Sequence, residues 1–288
     1  MVSGFVQQKM LGIKVRVNRR IFKKSTNSPY LSGDGFASLC DFSFDSPIKK
    51  IQGPSAKSIR EAASIFCPSD KLEEMLHIYG NNLKAKVIIA GNGDRDFYNV
   101  KNIFPESVKR VFLQNSHISG GMYKTLPIGV ENLRFGKNGF THLFDSKMDQ
   151  LKKKDAILVG PFSPTHMERT ELDDWYQIRD IRLFTMGHYL QSKEMARISA
   201  EFKFVACPRG NGTDTHRFWE TLYRGSIPVV KSSEWSKSIA ELGIPILQLK
   251  QWDFEEFIYA KSEFEFRSVN PVEIPSLWLP YWKEIFTS

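Results

Sequence analysis

The chain has 288 residues, of which 41% are hydrophobic and 13% aromatic, and it carries a formal net charge of +8. That length holds one large domain or two of ordinary size with full cores, and no run of about 18 or more apolar residues exists to form a transmembrane helix. The positive balance suits nucleic acid, an anionic membrane face or an anionic substrate; without a basic stripe interleaved with aromatics, nucleic acid is not the expected partner, while peripheral association with a membrane fits the charge.

The N-terminus lacks a compact apolar signal region with a small-residue cleavage site, and the opening Met reads as a natural start. Cys40, Cys67 and Cys207 are odd in number and form no CxxC, so they read as reduced thiols in a reducing, cytoplasmic compartment.

Ile13 to Val17 alternates as a first strand, followed by the basic residues Arg19, Arg20, Lys23 and Lys24, a solvated face. Tyr30 to Phe36, YLSGDGF, reads as a loop opening a helix from Phe36 to Asp41; Asp34 sits between two glycines that free its backbone, although a turn aspartate is the commoner use. Lys86 to Ala90 is a buried strand ending in Gly91-Asn92-Gly93-Asp94. Val108 to Leu113 is another, ending in Gln114-Asn115-Ser116-His117, with a short helix between them over Asp96 to Ile103. Gly120 to Gly129 carries one more strand. This alternation is that of a parallel α/β sheet. Three loops, bearing Asp34, Asp94 and His117 with Asn115, offer polar groups to a cleft.

The lysine-rich Asn138 to Lys154 reads as a linker. It divides a first domain, residues 1–145, from a second, 146–276, with residues 277–288 as a terminal helix that either packs locally or returns to the first domain. Ala156 to Gly160 opens the second sheet. In the loop that follows, Ser163 and Thr165 suit a phosphate and Arg169 adds charge; equally, Thr165 is a helix N-cap. Glu171 to Leu183 and Glu194 to Glu201 read as helices. Beyond the central unit, Lys231 to Glu234 lies at a strand end, Ile244 to Leu249 is a strand, Asp253 to Lys261 a helix and Trp278 to Phe286 the terminal helix.

The central unit is FKFVACPRGNGTDTHRFWETLYRGSIPVV, Phe202 to Val230. It reads as strand Phe202–Ala206, a glycine-bearing loop, helix Thr215–Arg224 stopped by Gly225, and strand Ile227–Val230. Gly210 and Gly212 let the backbone approach a ligand, and the amides of Gly210, Asn211, Gly212, Thr213, Asp214 and Thr215 lead into a helix N-terminus, which favours anions. Asp214 or Thr215 is the N-cap. Arg209 and Arg217 supply cations at the carboxyl end of the strand, where open α/β sheets hold ligands. Glu220 lies one turn beyond Arg217 and can accept hydrogen bonds from a ribose diol. The plainer alternative is a glycine turn with a helix-surface Arg–Glu pair.

CPRGNGTDTHRFWETLYRGSIPVV resembles the signature of exostosin-type glycosyltransferases: a Cys-Pro-Arg-Gly loop, an Arg-x-x-Glu helix and a Gly-x-Ile-Pro-Val strand. A looser similarity, to small bacterial and viral relatives of the exostosins, covers Pro29 to Asp45 and Lys86 to Asn132. The resemblance implies an inverting, nucleotide-sugar-dependent transferase of the GT-B-like α/β class, with two Rossmann-like domains facing across a cleft; with arginines available to balance the diphosphate, a metal is unnecessary. It implies a nucleoside diphosphate sugar, expected to be a UDP-sugar, in the second domain and a glycan acceptor in the first. Such an enzyme needs one general base. The relatives carry a Ser-Gly-Asp loop and a later His-Asn-Ser-Asp loop; here Gly91 occupies the His position, which leaves Asp34 or Asp94 as the expected base and His117 as a third candidate.

Two alternatives stand beside this. Asp94-Arg95-Asp96 is a DxD, which in other transferases holds a divalent cation with the diphosphate. The chain could also be a non-catalytic nucleotide- or glycan-binding module.

Overall fold

The computed structural model describes residues 14, 17, 26–44, 58–100, 104–118, 120–144, 153–172, 175, 182–183, 192–264 and 269–288. Lys14 and Val17, the described members of the expected first strand, are helical; the basic group from Arg19 to Lys24, residues 145–152 of the expected linker and most of the expected Glu171–Leu183 helix lie outside these residues.

The fold is mixed α/β with two parallel sheets. The first contains β1 (Phe42–Ser43), β2 (Ser64–Pro68), β3 (Val87–Gly91), β4 (Arg110–Gln114) and β5 (Tyr123–Leu126), side by side in sequence order. The second contains β6 (Lys154–Val159), β7 (Arg182–Leu183), β8 (Phe202–Ala206), β9 (Ile227–Lys231) and β10 (Leu247–Leu249) in the spatial order β10-β9-β8-β6-β7. Counted from its first strand that order is 2-1-3-4-5. The winding therefore reverses between β6 and β8, where a doubly wound sheet leaves a crevice at the carboxyl ends of its strands. The first sheet has no such reversal among its described strands.

Both faces of the first sheet are covered, so its strands read as continuous apolar runs. Alternate side chains separate cleanly. Ile65, Cys67, Ile88, Ala90, Val111 and Leu113 join a core on one face, whereas Phe66, Ile89, Phe112 and Leu126 join the other. The second of these cores continues without a break into the second half, through Phe204, Phe218, Trp219 and Val229. The helix Leu279–Thr287 packs against the first sheet, with Trp282 edge-on to Phe36 and Phe112 and Phe286 against Phe112.

Several expected elements differ in detail. The helix near Asp34 spans Gly33–Ser38, capped by Ser32, whose hydroxyl accepts from the Gly35 amide. Residues 96–100 are not helical; Phe97 instead forms a parallel bridge to Ser116. Leu183 belongs to β7 rather than to the end of a helix. The strand β2 and the helices Leu72–Tyr79 and Glu234–Ala240 were not legible as separate elements.

One side chain ties three segments together. Tyr223 lies fully buried, accepting from the Leu31 amide at 3.0 Å and donating to the Leu277 carbonyl at 2.6 Å. Tyr223→Phe keeps the ring but leaves a buried N–H and a buried C=O unpaired. It is expected to lower unfolding free energy by about 1–3 kcal/mol, measured by urea denaturation; an unchanged midpoint contradicts this role.

Candidate functional site

The loop from Cys207 to Thr215 lies between the two halves, and its contacts explain its composition. Gly210 and Gly212 are buried. A Cβ at Gly210 would stand 2.7 Å from Arg169 Nη2, and one at Gly212 would stand 2.6 Å from Asn115 Nδ2. Each glycine therefore admits a side chain of the protein itself, and neither is kept open for a ligand. Asn115, in the left-handed region at φ 55, uses the space beside Gly212 to accept from the Asp214 amide at 2.8 Å.

The helix that follows is His216–Tyr223, with Thr215 at the N-cap in extended conformation and without a side-chain cap bond. The expected alternative cap, Asp214, has another task. Its carboxylate is buried and accepts from the Ile128 amide and from the Trp219 indole N–H, each at 2.7 Å. Burial pushes it up to about 7, against those donors. Asp214 thus pins the loop to the end of the first sheet and faces no ligand.

The three charges expected to converge on one pocket point three ways. Arg209 reaches across to the first half, where its Nη2 meets Asp96 Oδ2 at 2.5 Å. Arg217 turns to the loop after β6, donating to the Pro161 carbonyl at 2.7 Å. Glu220 pairs with Arg224 one turn on, at 3.3 Å, instead of presenting a free acceptor to a ribose.

A different pair of cations comes together. The guanidinium carbons of Arg169 and Arg217 lie 5.8 Å and 4.7 Å from the centre of the Phe162 ring. Arg169 donates to the carbonyls of Arg209 at 3.0 Å and Ser163 at 2.7 Å. Burial, and then the neighbouring Arg217 charge, bring Arg169 down to about 10, only partly offset by Glu168. Phe162 and Pro161 follow β6, and Arg209 follows β8, so this pair sits at the carboxyl-end crevice where the winding of the second sheet reverses. Sequence reasoning placed Arg169 here as an added charge; it missed Phe162, whose only signal was an aromatic after a Gly-Pro turn. Ser163 and Thr165 are exposed, and the short helix begins after Met167, so Thr165 is not its cap.

The candidate bases differ in setting. Asp34 is fully buried. Arg134 Nε bonds one of its oxygens at 2.7 Å and Asn92 Nδ2 the other at 3.2 Å. Burial raises its pKa while Arg134 and Asn92 act against that. Enclosed in this way it cannot meet an acceptor hydroxyl, and the expectation that it is the base is corrected to a structural one. His117 is half-buried, its Nε2 at 3.0 Å from Thr213 Oγ1 and its ring stacked 4.3 Å from that of Tyr98; it holds Thr213 and Asp96 in place. Asp94 is exposed and, among the described residues, meets the Asn211 amide group at 3.2 Å.

The DxD carboxylates do not form a cation site. Both oxygens of Asp96 are engaged, one by Arg209 and the other by Thr213. Burial pulls Asp96 up, but the bonds from His117, Thr213 and Arg209 hold it at about 2. These residues do not fit a divalent ion shared with Asp94.

No protein-family model matches the chain, and no curated protein does. Among the described residues, no helix is long and apolar enough to cross a membrane.

The raised pKa of Asp214 fixes the sign of a pH effect. Its folded value of about 7 exceeds the ordinary 3.8, so its stabilising contribution is complete below about pH 4 and is lost as pH rises through 7. Asp214→Asn, which cannot ionise, lacks this loss. The stability advantage of the native chain over Asp214→Asn is expected to shrink by on the order of 2 kcal/mol between about pH 5 and pH 8, read from urea unfolding. A constant or widening gap contradicts the assignment.

Proposed function

We propose that the chain is an exostosin-like, inverting glycosyltransferase that moves a sugar from a nucleoside diphosphate sugar, a UDP-sugar in the first instance, to a glycan hydroxyl. The observation that carries this reading is the pairing of Arg169 with Arg217 over Phe162 at the winding reversal of the second sheet. Two half-buried guanidinium groups side by side repel one another, and a bound diphosphate outweighs that repulsion by attracting both. The Cys207 to Val230 signature supports the same reading. In it, the two halves act as the donor side and acceptor side of a GT-B-like enzyme.

The chemistry follows from charge. The acceptor oxygen attacks the anomeric carbon from the face opposite the leaving group; the new C–O bond forms as the bond to the β-phosphate oxygen breaks, which inverts the centre. Negative charge grows on the departing diphosphate, where Arg169 and Arg217 stabilise it more in the transition state than in the ground state. The acceptor proton passes to Asp94, the candidate base whose carboxylate is exposed. Asp94 reaches the donor loop through Asn211, while Arg169 touches the same loop at the Arg209 carbonyl. Positioned base catalysis contributes about 10²–10⁴-fold.

The test is transfer from a panel of UDP-, GDP- and CDP-sugars to oligosaccharide acceptors, with the anomeric configuration of the product read by NMR. An inverted product is expected, and a retained configuration contradicts the mechanism. Asp94→Asn is expected to lower kcat about 10²–10⁴-fold with little change in donor KM. A loss of less than a few-fold removes Asp94 from the reaction.

A further inference from the structure

Where the first half meets the Cys207–Thr215 loop, one aromatic ring is held rigid and yet left in the open. Phe97 bridges in parallel to Ser116, which brings the next residue, Tyr98, level with His117. Alternate side chains of an extended segment point to opposite sides. Phe97, 3% exposed, accordingly joins the core, whereas Tyr98 is 64% exposed. The Tyr98 ring lies on that of His117, with centroids 4.3 Å apart and planes within 9° of parallel. His117 is held in turn by Thr213, at 3.0 Å.

Single exposed apolar residues are ordinary on a protein surface. Tyr259, the other strongly exposed aromatic residue, is of that kind: it lies on a helix and has no ring contact among the described residues. Tyr98 differs because the stack has already removed the motion that a ligand would otherwise have to arrest. With one face on His117 and well over half its surface in solvent, the ring turns its other face outward.

The border of that face is polar. The Tyr98 hydroxyl stands 3.5 Å from Arg209 Nη1. Arg209 Nη2 reaches the Asn211 carbonyl at 3.4 Å, and Asn211 Nδ2 reaches the Asp94 carboxylate at 3.2 Å. Asn211 and Asp94 are both exposed. A pyranose has the complementary build. Its faces present C–H groups, which suit the negative face of an aromatic ring, and its edge presents hydroxyls that both donate and accept.

We propose that Tyr98 is the platform on which the acceptor sugar stacks, with Arg209, Asn211 and Asp94 meeting its hydroxyls. The proposal rests on the transferase reading, in which Asp94 takes the acceptor proton and the sugar beside it is therefore the acceptor. Tyr98 makes and breaks no bond; it sets the affinity and the orientation of that sugar.

The experiment combines transfer kinetics with saturation-transfer NMR on the full chain, using cellobiose, xylobiose, lactose and chitobiose. Tyr98→Ala is expected to raise the KM of the preferred disaccharide about tenfold, with the donor KM and the urea midpoint unchanged. Tyr98→Phe, which keeps the ring, restores most of that affinity. Irradiating aromatic protons is expected to saturate the C–H groups on one face of the bound disaccharide in the native chain, and this pattern is lost in Tyr98→Ala. That pattern and its loss, in a chain that transfers from no donor, uphold the stacking platform and remove the transferase reading. Transfer with an unchanged acceptor KM in Tyr98→Ala overturns the platform and leaves the transferase reading standing. Weakened UDP binding in Tyr98→Ala with an unchanged acceptor KM gives the ring to a nucleobase and overturns the proposal, as does a native chain that binds none of the disaccharides.

Discussion

Two positive charges held side by side are the constraint around which the candidate site is built. The guanidinium carbons of Arg169 and Arg217 both lie within 6 Å of the centre of the Phe162 ring, and burial together with their mutual repulsion brings Arg169 down to about 10. Carbonyl oxygens, an aromatic ring and the nearby Glu168 make this arrangement tolerable. A bound anion makes it favourable. The strand order gives the pair its meaning, because the reversal between β6 and β8 is where a doubly wound sheet leaves its loops splayed.

The loop that carries the signature is held from the other side by the first half of the chain. Asp214, Asn115 and the Asp96–Arg209 pair fasten it across the seam, and the His216 ring meets the Gly129 carbonyl at 2.8 Å. A single apolar core runs beneath these contacts. The Cys207–Thr215 loop is consequently positioned by tertiary contacts made by the first half of the chain, and changes at Asn115 or Asp214 act on the loop from outside the second sheet.

Much of this architecture was legible in the sequence. Apolar runs such as Val87–Gly91 and Phe202–Ala206 announce buried parallel strands, and Gly225, at φ 71, marks the end of the helix before β9. Pattern could not supply pairing. Nothing in the order of residues says that Arg209 meets Asp96, more than a hundred positions away, instead of a phosphate, or that Gly212 is small because Asn115 lies on it. The glycines looked like a cradle because a cradle and a close side-chain contact make the same demand on Cβ. Asp34 failed as a base for a related reason: glycines on both sides signal backbone freedom but do not reveal that Arg134, a hundred residues on, closes over the carboxylate. Strand order was equally out of reach, since the 2-1-3-4-5 winding is a property of connections and not of local propensity.

The most direct test of the paired-arginine site is a titration of UDP into the chain and into the Arg169→Gln and Arg217→Gln variants, by calorimetry at two salt concentrations. The account predicts that each substitution weakens UDP affinity by about tenfold or more, equivalent to roughly 1.4 kcal/mol, and that the salt sensitivity of binding falls in both variants. UDP affinity left unchanged by both substitutions, or absent in the native chain, contradicts it.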